Sequence, residues 1–518
     1  MVQLAIILIK PFLVTAIVTM LSVSQATAAI TQQLVWNSMR DFYTSIGFEI
    51  SSTEAHMGKE LRLRDVMLSK VLTKESHGLS GTINVSLSSL KFTKINDKTI
   101  SIILPNLIPM RLELEQEDGL SLDLQVDYLQ NSATIEVSSS QYQQLTYTYT
   151  ADSSYLELKN LMMNDINTSN LGLKAHLKAN DPYVTVTLQD YPHLKLSHLL
   201  SIKKLTYAIE LLLPALPDSV FSFSGNLADL TFDSDTTLTT ISKWSDLLIH
   251  STPEAHFRSR WSHGNANIKF LSKENGKNGS YHAGSFESTG NLTLSKENFD
   301  YNSESSGKNI SLSHEDLPFP ITLDLANLST RMMMPFAIDT ALKDFKLGLD
   351  ISKLSLSPVL WSAFDTKDIL PKDPLSFNLG LSGNAKGFGN VFSSNILGHL
   401  GNPKTMLKKV QNIELEKLHI SGIGTAVSAL GSFKFDNADL ITFRGMPRPI
   451  GHLEVELDGG YALLDRLVEM GLIPKTQSMG VRMMLSMFTV PGTKDDKVIT
   501  LLEITPDGYV LANGQRIR

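Results

Sequence analysis

From about residue 60 the chain alternates apolar and polar side chains with a period of two. Leu120, Leu122, Leu124, Val126 and Tyr128 interleave with Ser121, Asp123, Gln125 and Asp127, which puts one face of a strand on a core and the other in water. The same alternation returns at Ile83-Val85-Leu87, Leu145-Tyr147-Tyr149, Leu171-Leu173 and Val184-Val186-Leu188. It continues at Ile321-Leu323-Leu325, Phe345-Leu347-Leu349-Ile351, Phe377-Leu379-Leu381 and Leu453-Val455-Leu457. One polar face per strand marks antiparallel sheet, because buried parallel strands are apolar on both faces. Residues 31–47 follow helical spacing instead. There Trp36, Met39, Tyr43 and Ile46 share a stripe, and Gly47 suits a left-handed stop. The expected fold is mainly β with minor α (α+β), built of extended antiparallel sheet modules with short covering helices.

Residues 262–309 break the pattern. They are rich in Ser, Asn, Gly and Lys, with Ile268, Phe270, Phe286 and Leu292-Leu294 as anchors, and read as exposed hairpins with long, mobile turns. A weak repeat also runs along the chain. Leu194-Lys195-Leu196-Ser197 leads into an apolar helix-length segment ending at Leu213-Pro214, followed by Phe221-Ser222-Phe223. Leu354-Ser355-Leu356-Ser357 likewise runs through Val359, Leu360 and Trp361 to Leu370-Pro371, then Phe377-Asn378-Leu379. A third copy combines strand 453–457, helix 460–471 and Ile473-Pro474. Proline ends each helix because it lacks the backbone donor and biases the preceding residue away from helical angles. The expectation is a duplicated strand–helix–Pro module. The domains follow: a signal peptide at 1–28, an N-terminal helix plus antiparallel module at 29–235, a polar hairpin region at 236–330, and a C-terminal β module with two short helices at 331–518.

Composition narrows the address. Lys10-Pro11 precede an apolar run from Phe12 to Val23, and Ala26-Thr27-Ala28 present the small side chains a signal peptidase accepts. Cleavage between Ala28 and Ala29 and residence in the periplasm are expected, with an uncleaved inner-membrane anchor as the alternative. The 518 residues include no cysteine, which excludes disulfides, thiolate catalysis, lipoprotein acylation and cysteine-ligated metal. A net charge of −7 without a clustered basic stripe excludes a nucleic-acid partner.

Candidate chemistry is sparse. His193 and His198 are five apart, and His250, His256 and His263 are six and seven apart. Zinc ligands on one helix face or one strand face need spacings of three or four, or of two. These histidines are expected on the surface or in loops. Serine is abundant without a G-x-S-x-G elbow. Glu315-Asp316 and Asp495-Asp496 are carboxylate pairs. Acid–base work requires one partner shielded in apolar surroundings, whereas Asp495-Asp496 lies in a lysine-flanked turn expected to be solvated. Met332-Met333-Met334 precede Pro335. Met479, Met483, Met484 and Met487 stripe a C-terminal helix with Leu485 and Phe488. Methionine suits promiscuous apolar surfaces. An apolar helical stripe normally faces the core, so helices 460–471 and 478–488 are expected to pack together and cap the final sheet. Neither catalytic, cofactor nor metal-binding residues are assigned, and no enzyme activity is expected.

Several segments carry a family resemblance. VWNSMRDFYTSIGFEI at 35–50, LSPVLWSAFDTKDILPKDPLSFNLGLSG at 356–383, FDNADLITFRGMPRPIGHLEVEL at 435–457, LLDRLVEMGLIPKTQSMGVRMMLSMF at 463–488 and the closing DGYVLANGQRIR resemble exported members of the domain-of-unknown-function family 2125. More distantly, the one-faced strands and the terminal strand–Asp-Gly–strand–Asn-Gly element resemble AsmA-type envelope proteins. The first resemblance implies an envelope protein without an assigned activity. The second implies a long, curved sheet whose apolar concave face shelters lipid tails. The expected function is therefore non-enzymatic binding of acyl chains or another apolar ligand. A scaffold docking other envelope proteins is the alternative, and a hydrolase with a spatially assembled site the second.

Overall fold

The computed structural model describes residues 29–518 except for residues 46, 165 and 275 and the stretches 73–78, 117–120, 141–143, 168–171, 190–193, 213–218, 239–255, 296–297, 336–340 and 388–406. The expected signal segment 1–28 lies outside the described residues, and Ala29 is exposed. Ile46, Leu171, His193, His250 and Leu213-Pro214 also lie outside them. The described chain is mostly β with four short helices, and its strands pair antiparallel. It divides into two compact units, residues 1–281 and 282–518, and that boundary falls within the expected polar region 236–330.

In the first unit, α1 (Gln32–Ser45) starts where the Thr31 hydroxyl accepts from Leu34 N at 3.2 Å, and Gly47 follows it at φ +88°. Its strands are β1 (Glu49–Met57), β2 (Glu60–Leu72), β3 (Leu79–Asn96), β4 (Thr99–Ile103) and β5 (Leu107–Gln116). Next come β6 (Ser121–Asn131), β7 (Thr134–Ser139), β8 (Leu145–Thr150), β9 (Ser153–Met163) and β10 (Ile166–Asn167). The last are β11 (Lys174–Asn180), β12 (Tyr183–Gln189), β13 (Leu194–Leu212), β14 (Val220–Leu238) and β15 (His256–Glu274). The long β3 pairs β5 through its first half and β4 through its second. The long β13 pairs β12 and β11 in the same divided way. Two arms therefore join β3 to β13. One runs β4–β7–β8–β12, the other β5–β6–β9–β11.

A transverse seam separates the arms. At the seam Asp65, Ser132, Asp181 and Asp229 adopt φ near +50°, a left-handed conformation that Asp tolerates better than most residues. There the inward parity of the side chains changes. Leu61 and Leu63 point inward before the seam and Val66 and Leu68 after it; on the partner strand Leu87 and Leu90 do the same. Because both strands switch together, one apolar face continues across the seam. On the β4–β7–β8–β12 side α1 covers that face. Val35, Trp36, Met39, Phe42 and Tyr43 pack on Phe92, Ile100, Ile102, Ile135, Tyr147 and Tyr149, all nearly or wholly inaccessible. Fully burying each of these large side chains contributes about 1.5–3 kcal/mol.

The strand β16 (Lys277–Leu294) contains the unit boundary. The second unit holds β17 (Asn298–His314), β18 (Ile321–Pro335), β19 (Leu342–Leu356), β20 (Leu375–Lys386), β21 (Val410–Gly422), β22 (Thr425–Asp436) and β23 (Arg448–Asp458). Short strands β24 (Val490–Pro491), β25 (Lys497–Ile504), β26 (Val510–Ala512) and β27 (Gln515–Arg516) complete it. From β17 to β23 each strand pairs with the next, and β23 then pairs β25. The helix α2 (Pro358–Phe364) follows β19, with Pro358 in its first turn, the Ser357 hydroxyl accepting from Leu360 N, and Trp361 buried. Helices α3 (Gly460–Glu469) and α4 (Lys475–Phe488) lie between β23 and β24.

Two expectations are corrected. The segment after Leu194-Lys195-Leu196-Ser197 is not a helix; residues 194–212 form one strand. The strand–helix–Pro module therefore occurs at α2 and α3 but not in the first proposed copy. The polar stretch 262–309 is not turn-rich either. It lies mainly in β15, β16 and β17, strands of 19, 18 and 17 residues, with two and three residues between them.

Candidate ligand-binding face

Beyond the seam, the apolar face continues over the β5–β6–β9–β11 side of the first unit. Ile108, Met110 and Tyr128 still belong to the buried cluster that includes α1, with Val85, Val126 and Leu156 packed against it, and farther out the face is partly exposed. Directly paired residues in antiparallel strands share a face, so the register reads out its composition. One row runs Ile83–Leu112–Leu124–Leu161 across β3, β5, β6 and β9, and its neighbour runs Val85–Met110–Val126–Leu158. Further along, Leu156–Leu177–Tyr207–Gly225–Ile268 and Ala175–Ile209–Phe223–Phe270 cross β9, β11, β13, β14 and β15. Ile209, Phe223 and Phe270 are 44%, 39% and 38% exposed, and most of the other members are half-buried. A Cβ at Gly225 would strike the Tyr207 ring, so glycine there lets that ring lie across the row. Its neighbour Phe223 stands 5.4 Å away, centroid to centroid.

The reverse face is charged. Arg111 bonds Asp123 at 2.8 Å and Glu113 at 2.8 Å, Lys159 reaches Glu157 at 2.6 Å, and Thr82 donates to Glu113 at 2.8 Å. Exposed pairs of this kind add about 0–1 kcal/mol each; they chiefly keep that face in water. The sheet is thus two-sided, with the solvent-facing charges on one side and a partly uncovered apolar surface on the other.

The second unit repeats the arrangement. Leu328–Ile351–Phe377–Ile420–Val427–Leu457–Val498 crosses β18 to β25, and Met332–Leu347–Leu381–Leu415–Gly431–Leu453–Leu502 runs beside it. Ile420 is 44% and Met332 39% exposed, whereas Phe345, Ala385 and Val410 form a small buried cluster with Ile413 and Phe435 against it.

Charged and polar groups on the inward face are few. Lys70 and Lys308 each stand in an apolar row, opposite Ile83 and Leu325. His198 is half-buried between Val186 and Ser234, and burial pulls its imidazole down to about 4. A histidine expected on the surface is therefore half-buried and neutral. His256 is exposed and His263 places Nδ1 2.8 Å from Gly264 O, so these histidines do not converge. Among the described residues there is no group of three His, Asp or Glu side chains able to hold a metal ion.

A buried ring of hydroxyls joins Tyr128, Tyr149 and Ser154 at 2.9 Å, with Tyr149 donating to Gln130 Oε1 at 2.9 Å and Gln130 Nε2 to Pro105 O at 2.8 Å. Burial raises both phenol pKa values, and the ring contains no acid or base to activate a hydroxyl. It satisfies polar groups beside the seam.

The carboxylate pairs have other work. Asp496 is not a free loop acid: its two carboxylate oxygens accept from Tyr461 N and Ala462 N at 2.8 Å, capping α3 from a distant segment. Asp316 lies in the β17–β18 turn, its backbone N donating to His314 Nδ1 at 3.1 Å. The methionine stripe also departs from expectation. Met479, Met483, Met484 and Met487 are 62%, 64%, 58% and 63% exposed, so α4 turns Ser478, Val481, Arg482 and Leu485 inward and leaves the stripe in solvent.

Sequence reasoning found the apolar strands but missed Lys70 and Lys308 on their apolar face. The signal was present. Lys70 occupies the apolar phase between Leu68 and Leu72, and Lys308 the apolar phase before Ile310 and Leu312.

No helix among the described residues is long and apolar enough to cross a membrane. No family model matches the chain, and no curated protein matches it. Among solved structures, the alcaligin outer membrane receptor FauA from Bordetella pertussis is similar at 9% identity, covering 79% of this chain and 70% of that chain, with a TM-score of 0.21.

Proposed function

We propose that the protein is a non-enzymatic periplasmic envelope protein that binds acyl chains or a comparable elongated apolar ligand on the uncovered half of its apolar sheet face. The observation that supports this is the continuous set of paired apolar rows left partly exposed opposite a charged face. Soluble proteins rarely leave large contiguous apolar surface uncovered, and where they do it usually serves binding. The rows run across strands rather than as isolated side chains, which suits a long, flexible chain better than a compact ligand. Organic extracts of gently purified protein, analysed by mass spectrometry, should contain co-purifying lipid in stoichiometric amount. A well-folded sample that is consistently empty, and that takes up no lipid from vesicles, would refute the reading.

The exposed methionines of α4 favour a second reading, docking of another envelope protein through that helix. Met483→Asp with Met487→Asp should then abolish cross-linking to the partner while leaving lipid content unchanged. Unaltered cross-links would remove it.

A further inference from the structure

Along the open rows of the first unit, Lys70 is the charged side chain. It lies on β2 between Leu68, 7% exposed, and the half-covered rows beyond, so it marks where the α1-covered core gives way to the open face. Its Nζ stands 5.7 Å from the Phe48 ring centroid, and Phe48 packs edge-on against Tyr43 of α1 at 5.9 Å. The cation is half-buried, and burial alone pulls its pKa down; no carboxylate of a described residue pairs with it. The contrast with Arg111 and Lys159, each held by carboxylates on the opposite face, is chemical as well as positional.

An ammonium set among apolar side chains with only a ring face for company keeps most of its hydrogen-bonding capacity unused. The second unit repeats the device. Lys308 stands opposite Leu325 with Nζ 5.2 Å from the Phe286 centroid, and burial lowers its pKa too. Two lysines in apolar phase, each over a phenylalanine, in two separate units, are hard to assign to solubility, because neither faces the charged side of its sheet.

We infer that Lys70 receives the anionic headgroup, carboxylate or phosphate, of an amphiphile whose chain lies along the open rows beyond the seam. This rests on the acyl-chain reading above and deepens it by naming the ligand as an anion with a defined end. The covered core lies on one side of Lys70, so the chain can extend only over the rows on the other. The headgroup supplies the ammonium with the charge-assisted partner it lacks, and the rows supply burial for the tail.

The test uses the full mature chain carrying Lys308→Met, so that one lysine is read. Laurate, dodecyl phosphate and dodecanol, each below its micelle concentration, are titrated by calorimetry. The expected result is that one or both anions bind about tenfold tighter than dodecanol, a size typical of a charge-assisted hydrogen bond. Adding Lys70→Met should erase that preference while leaving dodecanol affinity unchanged, and Lys70→Arg should restore it. Whichever anion is preferred identifies the headgroup as carboxylate or phosphate. If dodecanol binds as tightly as both anions, or if Lys70→Met keeps the preference, the headgroup role is overturned while the acyl-chain reading stands. If none of the three binds, the acyl-chain reading itself falls.

Discussion

The sharpest consequence of a face that is covered at one end and open at the other is that chemically identical truncations should cost very different amounts. Phe92 and Phe223 sit in the same unit on the same continuous face. Phe92 is fully inaccessible, opposite Leu61 and Ile102, with the Trp36 ring 6.3 Å away. Truncation to alanine there loses the whole transfer energy and leaves a cavity that α1 cannot collapse into, about 4 kcal/mol. Phe223 is 39% exposed, opposite Ile209 and Phe270. Water fills the space that its removal leaves, so the cavity term vanishes and only part of the transfer energy is lost, about 1 kcal/mol. Urea denaturation of the two variants reads both changes on the unfolding of one unit. A saturating apolar ligand sharpens the contrast, since ligand at one hundred times its dissociation constant adds about 2.7 kcal/mol to the protein that binds it. Phe223→Ala should lose much of that increment and Phe92→Ala should keep it. If Phe223→Ala costs as much as Phe92→Ala without ligand, the face is covered and the argument for a binding surface fails.

Three further outcomes follow from the same geometry. His198 is neutral in the fold with its pKa pulled down to about 4, against 6.5 when unfolded. The unfolded chain therefore takes up a proton that the fold refuses, and stability falls as pH drops from about 6.5 toward 4, by about 3 kcal/mol in full; His198→Gln should flatten the pH dependence of the urea midpoint across that window, and an unchanged slope would refute the burial. Asp496→Gly removes the acceptor for two first-turn N–H groups of α3 without straining the left-handed backbone at φ +59° and should cost the second unit about 1 kcal/mol, whereas a change on the scale of a surface substitution would show the cap to be dispensable. Asp229, at φ +49° in the seam, should accept glycine without loss but lose about 1–2 kcal/mol as Asp229→Val, read by thermal melting; equal stability of the two variants would mean that the seam relaxes.

Much of this architecture was legible in the sequence because a period of two reports directly on a one-faced strand. Leu120 to Tyr128, Phe345 to Ile351 and Leu453 to Leu457 are strands or strand parts as expected, apart from Leu120 outside the described residues. What misled was the seam. Leu200, Ile202, Leu205 and Tyr207 all point inward on β13, and the three-residue step between Ile202 and Leu205 imitates helical spacing. The step carries no composition cue on β13 itself, because the left-handed residue, Asp229, lies on the neighbouring β14, so the apparent helix was a strand crossing the seam. The polar stretch misled for a different reason. In β16 and β17, serine pairs such as Ser288–Ser305 at 3.0 Å, and Ser303–Thr330 at 2.8 Å toward β18, bridge neighbouring strands, while the backbone ladder supplies the rest. Polar composition there means polar strands, not loops. For the methionines of α4 the periodicity was right and the inference wrong, since a stripe reports that a helix has an apolar face and says nothing about whether anything covers it.

The parity switch also explains how one surface is both core and candidate site. A strand of 19 residues with strict alternation would serve a single environment along its length, or would send half its apolar residues to the charged face when its pattern slipped by one. Here the pattern does slip by one, in Leu61-Leu63 against Val66-Leu68 and in Leu200-Ile202 against Leu205-Tyr207; left-handed Asp65 lies within the first slip, and left-handed Asp229 lies on β14 directly across from the second. Both halves of each long strand therefore contribute to one face. Helix α1 has 14 residues, a length of about 21 Å at the usual rise, and its buried side chains share one cluster with the β4–β7–β8–β12 side and with only the near part of the other, Ile108, Met110 and Tyr128. Among the described residues of the first unit no second helix seals the remainder, which is partly exposed. Lys70 stands where that cover ends, which is where a ligand's polar end would need a partner and its apolar end would need the rows.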